Sequence, residues 1–427
     1  MKKLAFLSIA VVLASLVSCS KKDPVGPDDE YAYLQARSAK RGVAFAFDME
    51  EDYQLLSPST SWCYNWGVSD GKKSSEYRTA NNMTYCPMMW SGVNLDGINN
   101  YVKAHPETEW LLAFNEPNLT DQANMTPSEA AAKWPDVMQA KQLTGRKLVS
   151  PAMNWGTLSG WSDGVAWLRS FFNQSGVSVN DVEAVAMHAY MSSAAAVYND
   201  ACRYKVFGKP VWITEFCNNN ASTETTQQLF MSQCLHEFEQ DDMIGRYAWF
   251  TPRSGKFSWT GMALLKKKAP WELTKSGLVW ANISSFDKSI SYEAGKRIPA
   301  AQFRACSRTS QGESTPGVVA CTDVDGLVEV FDFHGKQWAD YQIHANKGGE
   351  FTFAIRYATV DEGYLTLSEI KPDGSEEVLA NLDTPKSGGK AKWETYTTTI
   401  SLKKGDTIVR LRPAKGSHNI NWIQFYK

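Results

Sequence analysis

Two glutamates in this chain each close an apolar run of strand character, and the pair points to a chemistry. Leu111-Leu112-Ala113-Phe114-Asn115-Glu116-Pro117 sets a carboxylate beside an amide at a strand's C-terminal tip, where Pro117 brings no N–H to the ladder and ends it. Val211-Trp212-Ile213-Thr214-Glu215-Phe216 repeats the design. Breaking a glycosidic bond needs one carboxylic acid to protonate the leaving oxygen and one carboxylate to attack or to activate water. Their environments must differ, so that one stays protonated while the other ionises. This makes Glu116 the candidate acid/base and Glu215 the candidate nucleophile, with Asn115 placed to hold a sugar hydroxyl or orient the acid.

Such residues need a scaffold that brings them together. Apolar runs of strand type recur between residues 40 and 280, eight in all: Gly42–Phe47, Trp62–Trp66, Thr84–Trp90, the Leu111 run, Lys147–Ala152, Val182–His188, the Val211 run and Arg246–Phe250. Helix-like segments alternate with them, so the pattern predicts a closed (β/α)8 TIM barrel, whose chemistry sits at the C-terminal ends of the strands. Glu116 then ends the fourth strand and Glu215 the seventh, on one rim. The sixth ends His188-Ala189-Tyr190, whose i, i+2 spacing turns both side chains to one side, toward nucleophile and substrate. Trp66, Trp90, Trp155 and Trp249 fall at or just beyond strand ends as candidate sugar platforms, and Trp62 is read as core. Thr126-Pro127-Ser128-Glu129 starts a helix that runs to Leu143 and ends at Gly145, with Pro135 expected to kink or split it. Ser222 to Gln240 reads as a helix with Leu229, Phe230, Leu235 and Phe238 on one face.

At 427 residues the chain exceeds one typical domain. A formal net charge of −2 gives no basic footprint for nucleic acid, and 16 Trp, 17 Tyr and 19 Phe suit a neutral, sugar-like partner. Lys2 and Lys3, then an apolar run from Leu4 to Val17, make a secretory signal too short to span a bilayer. Leu16-Val17-Ser18-Cys19 resembles a bacterial lipobox, which implies cleavage before Cys19, its lipidation and attachment to a membrane. The expected location is the cell envelope, on the outer membrane or cell surface or in the periplasm. A polar, Pro- and Gly-punctuated tether follows. Of eight cysteines, setting Cys19 aside leaves an odd number, with Cys306 and Cys321 able to pair. No Cys/His cluster has metal-ligand spacing, so no catalytic metal is expected. Neither a Gly-x-Ser-x-Gly elbow nor a Gly-rich phosphate loop is present.

The runs Leu111–Asn118, Val185–Tyr190, Val211–Phe216 and Tyr247–Phe250, with Trp62–Trp66 and Tyr85–Trp90, resemble glycoside hydrolase family 128. The resemblance covers about residues 40 to 280 and implies a retaining endo-β-1,3-glucanase with a (β/α)8 fold. It matches Glu116 to the acid/base, Glu215 to the nucleophile, and Asn115 to a contact with the sugar's 2-hydroxyl. After Trp280 the alternation is lost, and β-rich runs such as Phe351–Tyr357 and Thr395–Ile400, with turn signals between them, predict an all-β sandwich of the jelly-roll kind. Tyr292–Ala294, Gln337–Ile343 and Asn419–Phe425 resemble a family 6 carbohydrate-binding module. That resemblance implies a sugar grip at Asn419 and Trp393; no cofactor is expected, a structural calcium in the module being the one the family allows. It departs where a second acid is usual and Gly295 stands, and Phe331 or Phe333 replaces the usual aromatic.

The expected organisation is a signal peptide at 1–18, a tether at 19–39, a catalytic barrel at 40–284 and a sandwich at 285–427. The expected activity is that of a monomeric, lipid-anchored endo-β-1,3-glucanase. The alternatives are cleavage of a β-1,4-glycan by the same machinery, and a non-catalytic glycan-capture lipoprotein.

Overall fold

The computed structural model describes residues 31–32, 36–255 and 257–427. The signal segment, Cys19 and most of the tether lie outside the described residues. Strands β1 (Ser38–Ala44), β2 (Thr60–Tyr64), β3 (Thr84–Tyr85), β4 (Trp110–Leu112), β5 (Lys147–Met153), β6 (Ala184–Tyr190), β7 (Val211–Cys217) and β8 (Ile244–Trp249) form one parallel sheet in the order β3-β2-β1-β8-β7-β6-β5-β4. The segment after β3 closes the ring: Leu112 N–H donates to Pro87 O at 2.8 Å and Met89 N–H to Leu112 O at 2.9 Å. Helices α1 (Glu50–Leu56), α2 (Lys72–Ala80), α3 (Leu95–Ala104), α4 (Pro127–Thr144), α5 (Gly164–Phe172), α6 (Ala194–Tyr204), α7 (Glu224–Glu239) and α8 (Lys275–Asn282) alternate with the strands.

The barrel's lower end is packed, not open. The Arg246 guanidinium lies 4.9 to 5.7 Å from the rings of Trp62, Trp110 and Trp212, all near the starts of their strands. Trp62 is core as expected, and it needs Gly42: a Cβ there would lie 2.2 Å from the indole.

Helix α4 has the predicted capping box at Thr126 and Glu129 and a left-handed Gly145 at its end. It is not split at Pro135, which stands on the exposed face, where water can take the carbonyl that loses its partner. No helix of the described residues is long and apolar enough to cross a membrane.

The second part is two packed sheets built from β9 (Tyr292–Glu293), β10 (Arg297–Pro299), β11 (Ala305–Cys306), β12 (Gly317–Ala320), β13 (Val328–His334), β14 (Ala339–Ala345), β15 (Gly349–Ala358), β16 (Gly363–Ile370), β17 (Glu376–Thr384), β18 (Glu394–Leu402), β19 (Gly405–Lys415) and β20 (Ser417–Tyr426). One sheet runs β12-β13-β20-β15-β18 with β10 beside β20; the other runs β11-β14-β19-β16-β17 with β9 beside β14. Cys306 and Cys321 do not pair: Cys306 lies on β11 of one sheet, Cys321 just after β12 of the other, and both are free thiols.

One continuous apolar cluster runs through barrel and sandwich. Helix α7 is therefore buried well beyond the one apolar face expected, including Gln228, Ser232, His236 and Glu237. Most of these polar groups are met by the sandwich. Ser232 Oγ accepts from Val318 N at 2.9 Å, Gln228 Oε1 from Ala320 N at 2.9 Å, and Glu237 from Ser310 and Thr315. Burial pushes His236 down to about 3, so its imidazole stays neutral, 3.0 Å from Pro316 O.

Candidate active site

Glu116 lies four residues beyond the last residue of β4, carried there by an extended segment. Asn115 N–H donates to Trp90 O at 2.8 Å and Glu116 N–H to Ala152 O at 2.9 Å. Glu116 itself is left-handed, with φ +45°, a conformation that holds its side chain over the rim. Glu215 reaches the same place through a bulge: β6 and β7 pair Met187 with Ile213 but His188 with Glu215, so Thr214 is an extra residue. The shift turns Glu215 toward the lumen beside His188 and Tyr190.

These side chains meet as one hydrogen-bonded group. His188 Nδ1 lies 2.7 Å from Glu116 Oε1 and 3.5 Å from Glu215 Oε2. Asn154 Nδ2 donates to Glu116 Oε1 at 2.7 Å. Trp66 Nε1 donates to Glu215 Oε1 at 2.7 Å, Tyr64 OH lies 3.0 Å from the same oxygen, and Tyr190 OH donates to Oε2. One oxygen of each carboxylate and a His188 nitrogen all fall within 4.8 Å of one another, the one such cluster of acidic, His or Cys groups among the described residues. Because Trp66 and Asn154 present N–H donors to those carboxylates, the group is built for proton chemistry more than for holding a cation.

Burial raises Glu215 above the ordinary carboxylate value, and Glu116 across from it adds to this against His188, Tyr190 and Trp66. Burial also acts on Glu116, but His188 and Asn154 outweigh it and hold Glu116 below the ordinary value. His188 is buried too, yet the two carboxylates raise it. The shifts run opposite to the environments expected of the two roles: Glu116, the candidate acid, is held low, and Glu215, the candidate nucleophile, is held high. The sequence pattern of two carboxylates becomes, in space, a cluster of three titratable groups with His188 between the carboxylates.

A cavity of about 610 Å³ opens over this group, lined on the catalytic side by Glu116, Glu215, Asn115 and Asn154. Trp66, Trp90 and Trp155 line it as predicted, although Trp66 also turns its N–H edge to Glu215. Trp249 does not line it. It faces the helices, buried against Phe216 and Trp280, with its N–H on Met262 O at 2.7 Å. Strand alternation gives the lumen to its neighbour Phe250 instead. Asn154, Tyr64, Gln122, Asn219, Phe250, Phe257 and Trp259 were not anticipated. Alternation from Trp62 and Trp66 would have found Tyr64, and Asn154 stands just past a strand end. The loop residues carry no such signal.

Asn115 donates to Gln122 Oε1 at 3.2 Å, while its own Oδ1 is buried without a partner. In the sandwich, Asn419 does not present itself to a sugar. It is buried, with Nδ2 on Glu329 Oε1 at 2.7 Å and Lys390 O at 3.1 Å, and Oδ1 accepting from Asp332 N at 3.0 Å. Half-buried Trp393 has its N–H on Thr322 Oγ1 at 3.1 Å.

A parallel barrel with two buried carboxylates facing each other across a rim cavity defines a glycoside hydrolase. Residues 42–280 match the family model described as glycosyl hydrolase catalytic core, and residues 305–427 match carbohydrate binding module family 6. Two similar solved structures are family 128, subgroup II endo-β-1,3-glucanases. The one from Pseudomonas viridiflava is 34% identical with a TM-score of 0.53, and the alignment covers 57% of this chain and 98% of that one. The one from Sorangium cellulosum is 30% identical with a TM-score of 0.52, over 57% and 98%. No curated protein matches. The chain belongs to glycoside hydrolase family 128 and carries a C-terminal family 6 carbohydrate-binding module.

Proposed function

We propose that the chain is an endo-β-1,3-glucanase that cleaves with retention through a covalent glycosyl-enzyme. The observation that carries this is the pair of rim carboxylates with oxygens within 4.8 Å of each other. Retaining glycosidases keep their two carboxyl groups about 5–5.5 Å apart, whereas inverting ones leave about 6.5–9.5 Å for a water. Similarity of 34% and 30% to two endo-β-1,3-glucanases supports the substrate class.

In the first step a Glu215 oxygen attacks the anomeric carbon, the glycosidic C–O bond breaks, and the leaving oxygen takes a proton from Glu116. His188, at 2.7 Å, supplies that proton to Glu116 as the sugar oxygen approaches. In the second step Glu116, now a carboxylate, takes a proton from water while the water oxygen attacks the anomeric carbon and Glu215 departs. Two inversions give retention. Trp66, Tyr64 and Tyr190 hold the charge of Glu215 before attack and after release. Asn115 Oδ1, buried and unpartnered, is the acceptor for a sugar hydroxyl.

Export and lipidation at Cys19 belong to the same reading, supported by the lipobox-like segment. The described chain starts against the sandwich, where Ala32 N–H donates to Arg297 O at 2.8 Å.

The test is product analysis on laminarin, curdlan, mixed-linkage glucan, carboxymethyl cellulose and mannan, with the anomeric configuration of first products followed by NMR. Oligosaccharides released from β-1,3 substrates as β-anomers are expected. Cleavage only of β-1,4 substrates would overturn the linkage, α-anomers the mechanism, and binding without cleavage the activity.

A further inference from the structure

Trp66 holds a backbone conformation that an aromatic residue rarely adopts, with φ +65°. Its neighbours keep it there. Asn65 Oδ1 accepts from Gly67 N–H at 3.0 Å, closing a side-chain turn around Trp66, and Asn65 Nδ2 donates to Ser69 O at 3.2 Å. The Tyr85 hydroxyl, from β3, is hydrogen-bonded to the same Oδ1 and lies 2.8 Å from Gly67 O. Met88 N–H donates to Gly67 O at 2.9 Å. Tyr85 is buried and packs edge-on against Tyr101, 5.4 Å between ring centres, and Tyr101 OH is bonded to Asp70 at 2.8 Å. Neither Asn65 nor Tyr85 lines the cleft. What they hold does: the indole N–H rests 2.7 Å from Glu215 Oε1.

Resting on the assignment of Glu215 as nucleophile, we propose that Asn65 and Tyr85 are positioning residues, a clasp that keeps Trp66 left-handed and so fixes an N–H donor on the nucleophile. Released from the clasp, the segment relaxes toward negative φ, which rotates the indole off Oε1. The groups then facing Glu215 are Tyr64 from β2, His188 and Tyr190 from β6, and Glu116 from beyond β4. One donor to the carboxylate is gone, the ionised form is less stabilised, and the nucleophile is a poorer leaving group in the second step. The left-handed Trp66 is thus a device for reaching Glu215 from a strand that does not carry it.

The test uses full-length Tyr85→Phe, Asn65→Ala, Trp66→Phe and the Tyr85→Phe/Trp66→Phe double variant, each checked for a cooperative melt. kcat and KM are measured on a soluble β-1,3-gluco-oligosaccharide across pH. Trp66→Phe removes a hydrogen bond to a charged group and should lower kcat about ten- to a hundredfold. Tyr85→Phe and Asn65→Ala should lower kcat in the same sense with KM nearly unchanged, and should move the acidic limb of the profile to higher pH. In the double variant Tyr85→Phe should add nothing, because its target is already gone. The clasp is overturned if Tyr85→Phe and Asn65→Ala lower the melting temperature but leave kcat and the limb in place, or if the effects simply add. Glu215→Gln measured alongside separates the two levels: activity surviving there overturns the nucleophile assignment, and the clasp with it.

Discussion

The barrel rim and the sandwich strands β13 and β20 each bury a glutamate beside an asparagine, and they treat the asparagine in opposite ways. On the rim, Asn115 is anchored through Nδ2 to Gln122 and leaves a buried oxygen without a partner. In the sandwich, Asn419 satisfies both its amide N–H groups and its oxygen within the protein. The glutamates differ likewise. Glu215 and Glu116 line a cavity, whereas Glu329 is closed in by Thr322 N–H at 2.9 Å and by Asn419. A buried polar atom left unpaired costs stability, and Asn115 Oδ1 is one that also stands in the lining of the rim cavity. The rim thus leaves an acceptor open to the cavity, whereas Asn419 ties β20 to β13 and to the Lys390 segment.

Swapping the carboxylates gives the largest contrast. Glu215→Gln should lower kcat on the order of 10⁴-fold or more with a normal melting temperature, and Glu116→Gln by about 10²–10⁴-fold. Glu329→Gln should leave kcat on soluble oligosaccharides intact and lower the melting temperature. Parallel kinetics and thermal melts check this, and loss of activity in Glu329→Gln without loss of stability would break the comparison.

The asparagines come next. Asn419→Ala should destabilise the fold by about 1–3 kcal/mol, since Glu329 and the Asp332 N–H lose their partner, with kcat unchanged. Asn115→Ala should instead lower kcat/KM by about ten- to a hundredfold with a smaller change in stability, because within the fold it loses one bond, to Gln122, and the other bond proposed for it is made to substrate. Urea unfolding and steady-state kinetics on both variants separate the cases.

The smallest effect is one of pH. Glu215 must be ionised to attack, and burial raises it, so activity should rise with pH along a limb lying above the ordinary glutamate value of 4.5. In the proposed mechanism His188 supplies the proton to Glu116; burial lowers its imidazole but the two carboxylates raise it above 6.5, so the alkaline limb should lie above that value. A kcat/KM profile measures both limbs. His188→Gln should erase the alkaline limb at its original position, which a purely structural His188 would not do.

Much of the rim was legible because strand-end residues announce themselves locally. An apolar run gives the strand, its last polar residue gives the rim, and i, i+2 spacing pairs His188 with Tyr190. Trp249 shows where that reading needs one more step: proximity to a strand end does not say which face a side chain takes, and alternation assigns the lumen to Phe250. Gln122, Asn219, Phe257 and Trp259 sit on long loops whose paths no local pattern specifies. Cys306 and Cys321 were close enough in sequence to pair but belong to opposite sheets.

By itself the sequence determined the parallel barrel, the two glutamates at its C-terminal rim, the helix start at Thr126 and stop at Gly145, and the β-rich second part. Each of these follows from short-range periodicity, capping and turn chemistry. Only the tertiary structure decided that a bulge at Thr214 turns Glu215 beside His188, that the His188 imidazole lies against Glu116, and that Trp66 donates to a carboxylate from another strand. It also decided that α7 buries its polar face under the sandwich and that Asn419 is fully occupied. These depend on register and on groups far apart in the chain, which meet only when backbone hydrogen bonding and burial are satisfied together.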